Sequence, residues 1–251
     1  MTAVALITGA SAGLGVEFAR QLSKKGVTLV LAARRKDRLD ALAAELGNAR
    51  AVEVDLSEPG AATRLLADLE KVGEQVETLI NNAGFGLRGR FVELDAERER
   101  EMIDLNCGAL TDLCRAVAPQ MVERKSGAIL NVASTAAFQP GPNMAVYFAT
   151  KAYVLSFTEA LHEEMRPHGV KVSALCPGPT RTEFGAVAGI KSLGQFDRLA
   201  MEAGPVVRAG LLGLENGDAV VIPGTTNKIG AWSTRLAPRS VVRRIAGSLK
   251  F

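Results

Sequence analysis

The chain is poor in the residues that bind metals and cross-link polypeptides. Its 251 residues include two histidines, His162 and His168, and three cysteines, Cys107, Cys114 and Cys176. Neither imidazole has a Cys or His cluster nearby, so no metal site is expected. Both histidines read as exposed residues near a helix end. An odd, sparse set of cysteines reads as small core residues in a reducing compartment, which points to the cytoplasm. No apolar run is long enough to span a bilayer. Met1 to Thr8 lead straight into a strand, without the basic region and cleavage site of a signal peptide. The net charge of +3 is too small to argue for nucleic acid as a partner. Acid is missing from Ala219 onward, where Lys228, Arg235, Arg239, Arg243, Arg244 and Lys250 are all basic.

What is present is apolar and alternating. Hydrophobic residues make up 47% of the chain, enough for one large core and too much for wholesale disorder. Short apolar runs read as strands at 3–8, 28–33, 51–54, 78–80, 128–132, 171–176 and 219–222. Amphipathic stretches at 14–25, 36–46, 59–72, 96–123, 146–166 and 201–214 read as helices. Strands without a wet face, each followed by a helix, predict a parallel sheet covered on both sides. The fold class is therefore α/β, a single-domain, Rossmann-type, doubly wound sheet. The segment from about 184 to 199 carries Gly185, Gly189 and Gly194 and reads as a substrate loop, a candidate lid.

Two clusters carry chemistry. Thr8-Gly9-Ala10-Ser11-Ala12-Gly13-Leu14-Gly15 follows the first strand and opens the first helix. Glycines there let a diphosphate approach the backbone, and the helix terminus offers free N–H groups. The spacing is G-x-x-x-G-x-G rather than G-x-G-x-x-G. The second strand ends Ala33-Arg34-Arg35, where an NAD site usually has an acid. Guanidinium groups there match a 2′-phosphate and favour NADP(H), with Arg34 foremost and Arg35 assisting. The second cluster is Tyr147 and Lys151, four residues apart on one helical face. An ammonium beside the phenol is expected to lower its pKa and tune it for proton transfer.

With these motifs the chain resembles the short-chain dehydrogenase/reductase family over nearly its whole length, and looks most like NADP-preferring, uncharacterised bacterial reductases. The resemblance implies a seven-stranded parallel sheet and hydride transfer between a nicotinamide and a carbonyl or alcohol carbon. It implies a catalytic set of Asn106, Ser134, Tyr147 and Lys151. Tyr147 is the proton donor, Ser134 orients the substrate oxygen, and the Asn106 amide holds a water that links Lys151 to solvent. The cofactor set is Gly9, Ser11, Gly13, Leu14, Gly15, Arg34, Arg35, Asp55, Leu56, Asn82, Ala83, Gly84, Tyr147, Lys151, Pro177, Gly178 and Thr182. Asp55 would contact the adenine. Asn81 would hold neighbouring strands together.

The expected activity is NADPH-dependent reduction of an apolar ketone or aldehyde. The residues that the family pattern places near the pocket are Phe85, Thr135, Ala136, Phe138, Met144, Phe148, Pro179 and Phe184, mainly apolar. The alternatives are an NADP-linked alcohol or hydroxysteroid dehydrogenase and a 3-ketoacyl thioester reductase. In the thioester case Arg88, Arg90 and Arg181 would meet an anionic carrier arm. A non-catalytic NADP-binding sensor is the reading from a different class. Residues 1–227 form the dinucleotide-binding domain, and 228–251 a basic, helical tail. Pro238 would sit near the start of its helix, with Val241, Val242, Ile245 and Leu249 at helical spacing. The tail is expected first to pack on the protein or a second subunit, next to be a solvated end, and last to touch an anionic membrane. A homodimer or homotetramer acting on a small molecule is expected.

Overall fold

A computed structural model describes residues 1–190 and 200–248. The fold is a seven-stranded parallel sheet in the order β3-β2-β1-β4-β5-β6-β7. The strands are β1 (Thr2–Thr8), β2 (Leu29–Ala33), β3 (Ala49–Glu53), β4 (Glu74–Asn81), β5 (Ala128–Val132), β6 (Lys171–Leu175) and β7 (Val220–Val221). Between and after them run α1 (Gly13–Ser23), α2 (Lys36–Leu46), α3 (Ala61–Lys71), α4 (Ala96–Ile103), α5 (Leu110–Glu123), α6 (Ala145–Met165), α7 (Phe184–Val187), α8 (Ala203–Asn216), α9 (Thr225–Leu236) and α10 (Arg239–Ser248).

The period-two alternation of the strands divides the core. Val4 and Leu6 of β1 and Val30 and Ala32 of β2 face α3, α5 and α6, where they meet Leu65, Leu113 and Val154. Ala5 and Ile7, with Leu29 and Leu31, face α1, α2 and α8, where they meet Phe18, Leu39 and Leu211. Both faces being covered is why the strands read as continuous apolar runs. The order reverses between β1 and its neighbours β2 and β4, which pair with it on opposite edges. A doubly wound sheet opens a crevice at such a point, beyond the carboxyl ends of the strands.

The structure departs from the sequence reading in two places. The helix expected over 96–123 is broken by a π-helical turn at Asp104–Ala109. The extra residue in that turn aims Asn106 inward, and its side chain is 1% exposed. His162 is buried rather than exposed, with Nδ1 2.7 Å from the Val172 carbonyl oxygen. It continues the Val154 and Thr158 row of α6 at intervals of four, which faces the sheet. The basic stretch expected from 228 lies largely in α9, which starts at Thr225, and in α10. In α10, which Pro238 precedes, the N–H groups of Val241 and Val242 donate to the Pro238 carbonyl. Of the candidate lid, α7 and residues up to Ile190 are described, and 191–199 lie outside the described residues.

Candidate active site

The crevice at the switch point is a cavity of about 690 Å³. One end is built by the glycine loop. Gly9 and Gly13 have φ of +64° and +55°, which L side chains rarely adopt. Ala12 caps α1 without a side-chain hydrogen bond, so the first amides of the helix are uncapped by protein groups where Gly13 and Leu14 line the cavity. That arrangement fits a dinucleotide diphosphate. Thr8 and Asn82 hold the loop in place. Asn82 Nδ2 donates to the carbonyls of Thr8 (2.9 Å) and Gly9 (3.1 Å), and Thr8 Oγ1 accepts from the amides of Asn82 and Ala83. Both Asn82 amide protons are thus spent on the loop. Gly15 does not line the cavity. A Cβ there would run into the Gly9 carbonyl oxygen and lie 2.9 Å from Ala10 Cα, so its glycine serves close packing of α1 under the loop.

Beside the loop, the carboxyl end of β2 brings Arg34 and Arg35 to the cavity wall, with Asp55 and Leu56 after β3. Arg34 Nη1 lies 3.5 Å from Asp55 Oδ2 and is largely exposed. Asp55 Oδ1 accepts from the Ser57 amide (2.9 Å) and hydroxyl (2.6 Å). Its carboxyl sits below the usual range because the Ser57 bonds and the Arg34 charge outweigh its partial burial. Arg35 Nε donates to Ser11 Oγ (3.2 Å), and its Nη1 donates to Glu183 Oε2 (3.0 Å). Glu183 also accepts from Arg38 (2.7 Å). Glu183 stands only one residue beyond Thr182 but belongs to no motif, so nothing in the sequence marks it.

The carboxyl ends of β4 and β5 supply the other end. Ala83, Gly84, Ser134, Tyr147, Lys151, Pro177, Gly178 and Thr182 all line the cavity. Ser134 caps the short turn that follows β5, with Oγ accepting from the Ala136 amide (3.1 Å) and donating to the Pro177 carbonyl (3.4 Å). Tyr147 and Lys151 project from the first turns of α6, and both are buried. Lys151 Nζ donates to the Val132 carbonyl (2.8 Å) and lies 5.9 Å from the Tyr147 ring centroid.

The expected lowering of the Tyr147 pKa is not what this geometry produces. Burial pushes the phenol up to about 12, and hydrogen bonding to Ser134 offsets only part of that. The ammonium hydrogen-bonds to the Val132 carbonyl and meets the phenol only through its ring. Burial also pulls Lys151 down to about 8.

Asn106 stays outside the cavity lining and braces it. Its Oδ1 accepts from the Phe85 amide (3.1 Å), and its Nδ2 donates to the Phe85 carbonyl (2.9 Å) and to Thr150 Oγ1 (3.1 Å). Only the second lone pair of Oδ1 is left for the expected water. Asn81 does tie strands together, through Nδ2 to Asn131 Oδ1 at 2.9 Å.

The substrate end is apolar. Phe85, Thr135, Ala136, Phe138, Met144, Phe148, Pro179 and Phe184 line it, and the Phe184 ring centroid is 5.3 Å from that of Tyr147. Among the described residues Arg88, Arg90 and Arg181 do not line it, and the last two pair with Glu93 and Glu202. Thr226, Asn227, Ala231 and Thr234 of α9 do line it. No motif in the sequence marks this wall, although with Gly230 these positions share one helical face.

A doubly wound sheet with a glycine loop at its switch point, and a Tyr-Lys pair across the same crevice, defines a dinucleotide-dependent oxidoreductase. The family profile described as short chain dehydrogenase matches residues 3–191. The chain belongs to that family, whose members act on alcohol or carbonyl groups of small molecules. Sulfoacetaldehyde reductase 2 of Chromohalobacter salexigens is 36% identical over 189 residues, 73% of this chain and 75% of that one. Among solved structures, a short-chain dehydrogenase from Sphingobium yanoikuyae in complex with NADPH is 38% identical. It covers 94% of this chain and 93% of its own, with a TM-score of 0.83. The bulky-bulky ketone specific alcohol dehydrogenase from Comamonas testosteroni is 31% identical, covers 97% and 96%, and has a TM-score of 0.78.

Proposed function

We propose that the protein is an NADPH-dependent reductase of bulky, apolar ketones or aldehydes. The observation that carries this reading is the placement of Ser134, Tyr147 and Lys151 on one wall of a cavity that is mainly aromatic and aliphatic at that end and bears Arg34 and Arg35 at the other. When bound, a reduced nicotinamide supplies the hydride. The glycine loop and the amides opening α1 hold the diphosphate, and Arg34 and Arg35 meet a 2′-phosphate. Ala33 stands at the end of β2, where an NAD site usually carries an acid. The Sphingobium relative holds NADPH, which supports the choice.

The chemistry at the carbonyl follows from the side chains. Ser134 and Tyr147 present hydroxyls to the carbonyl oxygen. As a C–H bond forms at the carbonyl carbon, the π pair moves onto that oxygen, where the two donors stabilise it. The Tyr147 proton then passes to the oxygen, giving the alcohol and a phenolate that Lys151 stabilises until it is reprotonated. A phenol held near about 12 is protonated at neutral pH but is a weak acid, so its proton moves only as negative charge develops on the carbonyl oxygen. Phe85, Phe138, Phe148 and Phe184 favour a large apolar group on the ketone. The Comamonas relative, named for bulky ketones, supports that size class. The arginines that a carrier-bound thioester would need lie off the cavity, and the complete catalytic set weighs against a sensor.

The test is NADPH oxidation measured against aryl and alkyl ketones of increasing size, with Tyr147→Phe as the control. Turnover should rise with apolar bulk, and the variant should lose on the order of a thousandfold in kcat while binding NADPH normally. Near-normal turnover by the variant refutes the mechanism.

A further inference from the structure

Charge is divided sharply along this chain. Six of its 30 Lys and Arg, and none of its 27 Asp and Glu, follow Asp218, so the last stretch carries +6 and the preceding body −3. Many cations elsewhere on the surface are paired, as Arg20 with Glu45 and Arg50 with Glu74. Among the described residues, none of Lys228, Arg235, Arg239, Arg243 and Arg244 forms an ion pair.

The helices that carry these cations have two faces. The inner face of α9 closes the active-site cavity, and Ala231 is 5% exposed. On the opposite face Ile229, Trp232 and Leu236, at helical spacing, are 66%, 66% and 90% exposed. Lys228 and Arg235 flank this stripe, and the Arg235 guanidinium lies 6.0 Å from the Trp232 ring centroid. In α10, Ala246 turns inward while Val241 and Ile245 face solvent among Arg239, Arg243 and Arg244. A tryptophan and long aliphatic side chains in line, edged by unpaired cations, match the polarity profile of a membrane interface. A second copy of the chain is a poorer occupant, because a two-fold contact would set this +6 stretch against itself. A purely solvated end gives no reason for three large apolar side chains in register.

We propose that the outer face of α9 and α10 docks on an anionic lipid bilayer, with the helices lying in the interface plane. The proposal stands apart from the reductase reading, since it rests on a surface the catalytic residues do not share. If both hold, the helix that touches lipid is also a wall of the apolar cavity, so substrate dissolved in the bilayer lies close to the site.

Trp232 is the chain's one tryptophan, so its emission reports on this face alone. The full chain is titrated with vesicles of equal parts phosphatidylglycerol and phosphatidylcholine, and with vesicles of phosphatidylcholine only. A blue shift and cosedimentation are expected with the mixed vesicles and not with the neutral ones. High salt should reverse both. The triple variant Arg239→Gln, Arg243→Gln, Arg244→Gln should bind the mixed vesicles on the order of a hundredfold more weakly. Unchanged NADPH binding by that variant would show that it is folded. No spectral response to the mixed vesicles, or equal binding to both kinds, overturns the proposal. So does a blue shift without lipid that follows protein concentration and doubles the mass in light scattering, which identifies a second copy as the occupant.

Discussion

Replacing Glu183 by glutamine should tighten NADPH and leave NADH unchanged. Glu183 spans the cofactor end of the cavity, accepting from Arg38 through Oε1 at 2.7 Å and from Arg35 through Oε2 at 3.0 Å. An internal carboxylate thus holds an arginine that a 2′-phosphate would claim. The two guanidinium groups keep this carboxyl below its ordinary pKa, so it stays charged across neutral pH. Binding NADPH must break or share the Arg35 bond, whereas NADH has no reason to disturb it. The side chains are about half exposed, so each pair contributes no more than about 1 kcal/mol. Glutamine keeps one neutral acceptor, and the net gain for NADPH is about 1 kcal/mol, or about fivefold in Kd. Fluorescence titration of both nucleotides against the wild type and Glu183→Gln measures the ratio directly. Equal tightening of NADH, or weaker NADPH, would refute the competition.

Arg34→Ala should weaken NADPH by about ten- to a hundredfold, the range of a charge-assisted hydrogen bond, with little effect on NADH in the same titration. Equal losses would remove Arg34 from the 2′-phosphate site. Gly15→Ala places a Cβ against the Gly9 carbonyl oxygen and 2.8 Å from Asn82 Nδ2. With backbone on one side there is no flexible neighbour to yield, so it should cost about 1–3 kcal/mol, lower Tm and weaken both nucleotides alike. An unchanged Tm contradicts that packing. Lys151, held near about 8, carries its charge below that pH and loses it above, so kcat/KM for NADPH should be level near neutrality and fall above about pH 8. Tyr147, near about 12, adds no second fall in the accessible range. A profile level to about pH 10 would argue against dependence on the Lys151 charge.

The sheet was legible because burial on both faces leaves a strong signal. Ala128–Val132 has the bounds that its apolar run predicts, and β6 differs from its run by one residue. The glycine loop and the Tyr147–Lys151 pair were legible because their chemistry dictates both residue type and spacing. What stayed hidden depends on contacts between distant segments. Glu183 meets Arg35 and Arg38 across a sequence separation of about 145 residues, which no local pattern encodes. The Tyr147 pKa depends on how deeply α6 buries it and on which way Lys151 turns, and neither follows from an i,i+4 spacing. The helical pattern over 96–123 gives no sign of the π-helical turn that carries Asn106 to Phe85. The cavity face of α9, five small or polar residues, lacks the apolar stripe that marks a helix as packed.

One feature of α6 reaches beyond the site. Along its length it is pinned to the sheet by side chains, Lys151 to the Val132 carbonyl, Thr158 to Asn131 Nδ2, and His162 to the Val172 carbonyl. These rivets lie at intervals along the helix, so it behaves as a beam fixed to its support rather than as an arm hinged at one end. Local opening begins where contacts are few, and here the exposed closing helices meet that description. They can fray and re-form while the spacing of Tyr147 and Lys151 against β5 is kept. Amide exchange would then run on two clocks, a fast one for the walls around the substrate and a slow one for the groups that move its proton.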